Sequence, residues 1–469
     1  MKNHFTVVSL LFLAMAVAQF ASAQTGDLQY FRPLDQTGIN IFEPSKTDDQ
    51  PAFDGLKLRL GVSLSQDAQH LKHSNTPTYV PESETNPVNS NLLYGAGASG
   101  DSTSATLAGF NTAMANLYIN AQLADGIRVC VESYMSSRHH PDFWVKGGYL
   151  QIDKLPMFGD PKWFSKYMRL KLGHYEPNYG DMHFRRSDAG NCIYNPFVEN
   201  YIIDAYTTEI GGELSLFPFK GLTAVAGLTT GLMEGNVTPY SATAPPGFTD
   251  PIKKDPSLLF KLAFDGSNKD LRYRISGSYY SNSGSVANTM YLGDRAGSHY
   301  SMVMEQARSM IYVEGIPTGI GPSTTLNNKD SGRFLPLFTN QVSSVMVNPF
   351  VKYKGLEFFG AYEIIKGRMG FEAPGDRKFT QIAGELVFRF LPREQCYVAA
   401  RYNTVKGTPL FMQNEITINR ATFAAGWFPT RNIELKAEYV NQQYKDFPVY
   451  DYRYNGKFSG AVVEAVVGF

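Results

Sequence analysis

The sequence predicts an all-β chain: a transmembrane antiparallel up-and-down β-barrel of about 16 strands. Three observations carry that expectation. Apolar and polar residues alternate at a period of two in one segment after another, which sends them to opposite faces of a strand. The connections between these segments alternate between short and long. Aromatic residues gather on the apolar face at both ends of the segments.

Composition sets the frame. The chain has 469 residues, long for one soluble domain and ordinary for a large barrel. Lys plus Arg and Asp plus Glu are 43 each, so bulk charge points to no nucleic-acid partner. Mean hydropathy is −0.24, and beyond the N-terminus no apolar run reaches the roughly 18 residues that a membrane helix needs. The 42 Gly, 32 Phe and 28 Tyr suit a barrel better than a helical enzyme.

Residues 1–23 are expected to be a signal peptide. Lys2 supplies a positive start, residues 6–20 (TVVSLLFLAMAVAQF) an apolar stretch too short to span, and Ala21-Ser22-Ala23 a cleavage motif, so the mature chain is expected to begin at Gln24. No Cys follows, which argues against lipidation. Residues 24–54 are polar and Pro-containing. They read as a periplasmic N-terminal lead-in, with a plug or docking peptide as the sharper alternative.

The barrel is expected to occupy 55–469. Residues 55–66 (GLKLRLGVSLSQ) place Leu56, Leu58, Leu60, Val62 and Leu64 on one face and Lys57 and Arg59 on the other. Residues 115–123 repeat the pattern. Asp125-Gly126 is a hairpin turn, and Ile127, Val129, Val131 and Met135 follow on one face, opposite Arg128, Cys130, Glu132 and Tyr134. Further runs lie near 143–153, 168–173, 207–217, 222–231, 257–265, 271–281, 344–353, 356–365, 379–390, 396–404, 416–428, 433–442 and 458–469. Two of these are weaker: 143–153, and 344–353, where Pro349 removes a ladder donor.

Short links (125–126, 218–221, 265–270, 354–355, 391–395, 429–432) alternate with long ones (67–109, 174–205, 232–256, 282–343, 366–378, 405–415, 441–457). The 282–343 stretch leaves room for one more hairpin and thus 18 strands. Phe264, Phe390, Trp427 and Phe469 sit on apolar faces beside short turns, and Tyr279, Tyr362, Tyr402 and Tyr439 near the other ends, as two membrane interfaces require.

The final run, SGAVVEAVVGF, ends at Phe469 with Ala461, Val463, Ala465 and Val467 on the same face. It resembles the C-terminal assembly signal of bacterial outer-membrane barrels. That resemblance implies the bacterial outer membrane as location, its lipid as surroundings, and the barrel-assembly machinery as a partner. Architecturally, residues 55–469 resemble 16-stranded general and anion-type porins, which are commonly trimers. The lead-in and the GDRAGS stretch are similar to porins of the Bacteroidota group.

About 16 strands enclose an aqueous lumen. The alternation puts Lys57, Arg59, Arg128, Arg138, Arg169, Lys171, Lys261, Arg272, Arg274, Lys352, Arg389, Arg401, Arg420 and Lys436 inside. The inward acids are fewer: Glu132, Glu209, Glu213, Glu357, Glu363, Glu385, Glu434 and Glu438. An excess of fixed positive charge predicts a modest anion preference. The opposing reading is that these charges pair with one another. Lys57, Arg59, Arg128, Arg169, Lys171, Arg272, Arg274 and Arg389 lie toward the short-turn ends, which predicts a basic zone there.

The third long connection, 174–205, is similar in position to the inward-folded third loop of general porins. The resemblance makes Asp181, Arg185, Arg186 and Asp188 constriction candidates, against the plainer reading of a surface loop. Other signals are weak. Gly95, Gly97 and Gly100 match G-x-G-x-x-G without a strand before or a helix after. His139-His140 beside Asp142 reads as a solvated pair rather than a metal site. The three cysteines, Cys130, Cys192 and Cys396, form no framework. No cofactor, metal or catalytic residue is expected. The leading function is a porin for passive diffusion of small hydrophilic solutes. A ligand- or partner-binding barrel with a plugged lumen comes second, and a barrel enzyme third.

Overall fold

The computed structural model describes residues 28–469 except 47–48, 77, 84–85, 97–103, 139–141, 188–189, 231–254, 286, 294–295, 314–315 and 325–329. The expected signal peptide, Asp188 and His139-His140 lie outside the described residues. The strands are β1 (Lys57–Ser74), β2 (Ser104–Ala124), β3 (Ile127–Ser136), β4 (Trp144–Ile152), β5 (Met168–Tyr175), β6 (Glu209–Leu216), β7 (Leu222–Thr229) and β8 (Ser257–Asn268). They continue as β9 (Leu271–Asn282), β10 (Gln341–Tyr353), β11 (Leu356–Arg368), β12 (Arg377–Phe390), β13 (Cys396–Gly407), β14 (Ile416–Thr430), β15 (Ile433–Lys445) and β16 (Lys457–Gly468). Each pairs antiparallel with its chain neighbours, and β1 pairs with β16 to close one barrel.

Every expected run is a barrel strand, and several outgrow their apolar stretch. Beyond Leu64, β1 continues to Ser74 with Gln66, His70 and Lys72 exposed on its outer face. The apolar rule ends where lipid ends, while backbone pairing with β2 and β16 carries on. Among its described residues, the 282–343 connection adds no wall strand. Its hairpin, Arg308–Val313 with Ile316–Pro322, is a separate two-stranded sheet, and the GDRAGSHYSMVM stretch forms no strand in its described part. The alternation of link lengths fails once. On the short-turn side, 153–167 is long and carries a short helix, Lys162–Tyr167.

Pro349 is accommodated within β10. The ladder to β11 skips Asn348 and Pro349, and the Asn348 side-chain amide donates to the Gly360 carbonyl at 3.0 Å in its place. At the Asp125-Gly126 turn Gly126 has φ +72°, and a Cβ there would lie 2.5 Å from Lys154. Phe469 closes the seam: it exchanges two backbone hydrogen bonds with Val62, both 3.1 Å.

Burial follows the pleat. Along β15 exposed and buried residues alternate from Ile433 to Lys445 without a break. The outward side of β8 is Leu258, Phe260, Leu262 and Phe264, all exposed, and the eight girdle aromatics named above are exposed as well. A continuous apolar exterior on a closed barrel is the surface lipid requires. Leu262→Arg, at 57% exposure on this face, is expected to cost about 2–4 kcal/mol of folding in lipid. The urea midpoint of refolding into vesicles checks it, and an unchanged midpoint would place that face outside the bilayer.

Candidate functional site

The lumen is packed with chain. Three layers fill it, each held by inward wall residues. At the short-turn end lies 28–46, the larger of the two described stretches of the expected lead-in. That segment therefore sits inside the barrel rather than below it. Its Asn40 amide donates to Glu357 (2.9 Å), Lys46 pairs with Asp153 (3.0 Å), and Glu43 pairs with Lys261 (3.0 Å) and Arg274 (2.7 Å). The Arg32 guanidinium donates to the Phe184 carbonyl at 2.8 Å and stacks 3.7 Å above the Tyr194 ring.

The middle layer is the third long connection, which folds inward. Asp181 pairs with Lys261 (2.8 Å) and Arg274 (2.7 Å). Arg185 pairs with Glu385 (2.9 Å) and donates to Asn40 (2.6 Å), tying the two layers together. Arg186 pairs with Asp204 (2.6 Å) within the loop itself. Wall amides stand in for a missing ladder: Gln381 takes the Ile203 N–H at 2.9 Å and returns a bond to its carbonyl at 2.8 Å, and Asn403 takes the Ile202 N–H at 2.7 Å.

The third layer, 288–293 and 296–305 with 330–340, lies toward the long-loop end. Arg333 bridges Glu199 (2.7 Å) and Asp204 (3.0 Å), and the Tyr300 hydroxyl donates to Glu438 (2.6 Å). Burial raises the Glu199 carboxyl, but the Arg333, His299 and Arg420 charges outweigh it and hold the group down at about 2.

Much of the expected basic zone meets carboxylates, as the opposing reading of paired charges has it. Some partners arrive from loops and turns, others from the wall itself. Lys261 and Arg274 meet Glu43 and Asp181, Arg169 meets Asp153 (2.8 Å), and Arg272 meets Asp265 (2.5 Å). Arg389 pairs with Glu357 (2.9 Å), Arg401 with Glu385 (2.9 Å), and Lys57 with Asp54 (2.8 Å). Lys436 pairs with Glu464, an inward acid that the alternation of the last strand already exposes to view. Glu363 accepts from Tyr179 (3.0 Å) and Tyr291 (2.6 Å), and Glu434 from Tyr397 (2.8 Å).

Open space remains along one wall. A cavity of about 810 Å³ at the short-turn mouth is bordered by Arg272 and Arg274. It shares Tyr30, Phe31, Phe42 and Pro44 with a cavity of about 260 Å³, which in turn shares Arg32, Tyr118, Tyr149 and Lys171 with one of about 250 Å³. Arg128 and Glu132 border this run, as do Arg169 and Lys171. Among the described residues, Arg32, Arg59, Arg128 and Lys171 have no carboxylate within ion-pair distance, and aromatic rings hold them instead. Arg59 lies 4.9 Å from Phe31, and Lys171 lies 4.4 Å from Tyr149 and 4.3 Å from Tyr175. Glu132 is engaged by Lys146 (3.5 Å) and Asn116 (2.5 Å). Tyr118 stood on the polar face of the 115–123 run, whereas Arg32 lay in a lead-in read first as periplasmic and only second as a plug.

One buried cluster has the order of nucleophile, base and orienting acid. Cys192 Sγ lies 3.9 Å from His299 Nε2, and His299 Nδ1 lies 2.8 Å from Asp67. Cys192 and His299 are fully buried, none of the three lumen cavities borders them, and burial pushes the thiol up to about 12. Cys192, His299 and Glu464 also approach one another as metal ligands would, but the Lys436 ammonium occupies the Glu464 carboxylate.

The fold is a closed 16-stranded antiparallel β-barrel with an apolar outer face and a lumen filled by its own chain. No family model matches the chain, and no curated protein does. Among solved structures, the anion-selective porin from Comamonas acidovorans is 10% identical with a TM-score of 0.47, over 88% of this chain and 100% of that one. The outer-membrane channel DcaP of Acinetobacter baumannii is 10% identical with a TM-score of 0.46, over 89% and 99%. OmpT, an outer membrane protein of Vibrio cholerae, is 9% identical with a TM-score of 0.46, over 89% and 99%.

Proposed function

We propose that the chain is a porin-type channel whose path runs along the wall from β2 to β6, passing small hydrophilic solutes with a modest preference for anions. One observation carries this reading: three cavities that share lining residues follow one another from the short-turn mouth into the barrel, bordered by both charged and aromatic side chains. Arg128 and Lys171 on that wall and Arg32 of the inserted segment border these cavities without a carboxylate partner, and fixed positive charge in a narrow passage raises the local anion concentration. In the same reading residues 1–23 direct export and the strand ending at Phe469 is handed to the assembly machinery. The second reading is a ligand- or partner-binding barrel with a plugged lumen, which the extent of the filling favours.

Single-channel recording of the refolded protein in a planar bilayer, with the reversal potential taken under a KCl gradient, separates them. Small stable steps with a chloride-directed reversal are expected. A folded barrel with no conductance would overturn the channel reading in favour of the plugged one. A potassium-directed reversal would overturn the anion preference alone.

A further inference from the structure

We propose that the Arg128–Lys171 stretch of the lumen is a binding site for one small organic carboxylate with a flat, unsaturated body. The proposal relies on the channel reading only for the ligand's route of entry.

The geometry has three parts. First, two cations face the same ring from different strands. Lys171 Nζ on β5 lies 4.4 Å from the Tyr149 centroid, and the Arg128 guanidinium on β3 lies 5.9 Å from it. Second, both retain capacity for an anion. Arg128 is 6% exposed, its terminal nitrogens go to neutral oxygens of Asn120 (2.7 Å) and Gln151 (2.9 Å), and its Nε has no hydrogen-bond partner. A buried guanidinium donor left without an acceptor is costly, so a carboxylate that fills it gains more than the same contact would in water. Third, among the described residues no carboxylate forms an ion pair with either cation. Glu132 is taken by Lys146 and Asn116, while Glu213, across from Lys171 in the ladder and accepting the Asn178 N–H at 3.2 Å, and Glu176 border the cavity beside Lys171 without closing an ion pair on it.

The lining sets the body of the ligand. Tyr149, Tyr118, Phe31, Phe184 and Tyr194 border the same space of about 260 Å³. Aromatic walls around a cationic centre select an anion that brings apolar surface with it, over chloride or phosphate, which bring none. The volume admits a single-ring acid and not a chain of sugars. An occupied site of this kind makes passage saturable.

The test is calorimetric titration of the full chain folded in detergent, with benzoate as probe. Acetate is the comparator of equal charge without the ring, benzylamine carries the ring with the opposite charge, and phosphate is a charge alone. Benzoate is expected to bind one per chain, about tenfold or more tighter than acetate or phosphate, with no heat from benzylamine. Lys171→Gln is expected to weaken benzoate about tenfold while leaving the melting curve in place, because Lys171 makes no ion pair whose loss would strain the wall. Arg128→Gln is expected to do the same if it folds. No benzoate binding, equal binding of benzoate and acetate, or wild-type affinity in Lys171→Gln would each overturn the proposal. Binding is read without conduction, so KCl conductance of the same preparation reports separately on the channel reading.

Discussion

Deleting residues 28–46 is expected to raise single-channel conductance several-fold while the barrel still folds. The segment occupies the short-turn third of the lumen but contributes no strand to the wall. Its anchors are side-chain contacts: Glu43 on Lys261 and Arg274, Lys46 on Asp153, and Asn40 between Glu357 and Arg185. Removing it leaves Lys261 and Arg274 with Asp181 as their remaining carboxylate. The segment carries Arg32 and Lys46 against Asp35 and Glu43, so its loss leaves net charge unchanged, whereas losing Glu43 alone makes the local charge more positive and enlarges the chloride-directed reversal potential. Glu43→Gln alone is expected to show this shift in selectivity with little change in conductance, since the backbone still fills the space. A deletion variant with wild-type conductance would mean that the middle layer sets the resistance.

The wall was legible in the sequence because its rule is local. A period of two needs only neighbours, and the lipid imposes it on every strand alike, so even the segment with Pro349 was found. Strand ends were harder: past Leu64 the outer face of β1 turns polar, the β2 residues above Phe110 are small and mixed, and pairing rather than hydropathy decides where β1 and β2 stop. The lumen contents were mostly illegible. Arg32, Glu43 and Asp204 lie in polar stretches whose composition suits a surface loop as well as a plug. Their partners are far away in the chain, as Glu43 is from Arg274, and no spacing connects them. The charge excess on the wall was itself a sign that was only half used. A wall rich in Arg and Lys calls for carboxylates, and Glu43, Asp181 and Glu199 from the inserted segments supply them.

Replacing Arg333 with Leu is expected to release the inner layers without unfolding the barrel. Arg333 is buried and bridges Glu199 and Asp204, and Asp204 also holds Arg186. Removing one partner from a buried ion pair typically costs about 3–5 kcal/mol, because the remaining charge stays desolvated. Here the cost falls on the loops that carry these residues, while the wall keeps its ladder. The readout is brief proteolysis of the folded protein together with current noise in the bilayer: faster loop cleavage and a flickering channel, with the barrel's heat-modifiable migration unchanged. The pH dependence adds a sign. Glu199 is depressed from 4.5 to about 2, so its contribution is complete above about 4.5 and is lost as pH falls toward about 2. Wild-type loops are therefore expected to hold until that acid window, and Arg333→Leu to release at higher pH, because the largest of the charges depressing Glu199 is gone. Coincident acid profiles for the two proteins would mean that contacts other than this ion pair hold the layers in place.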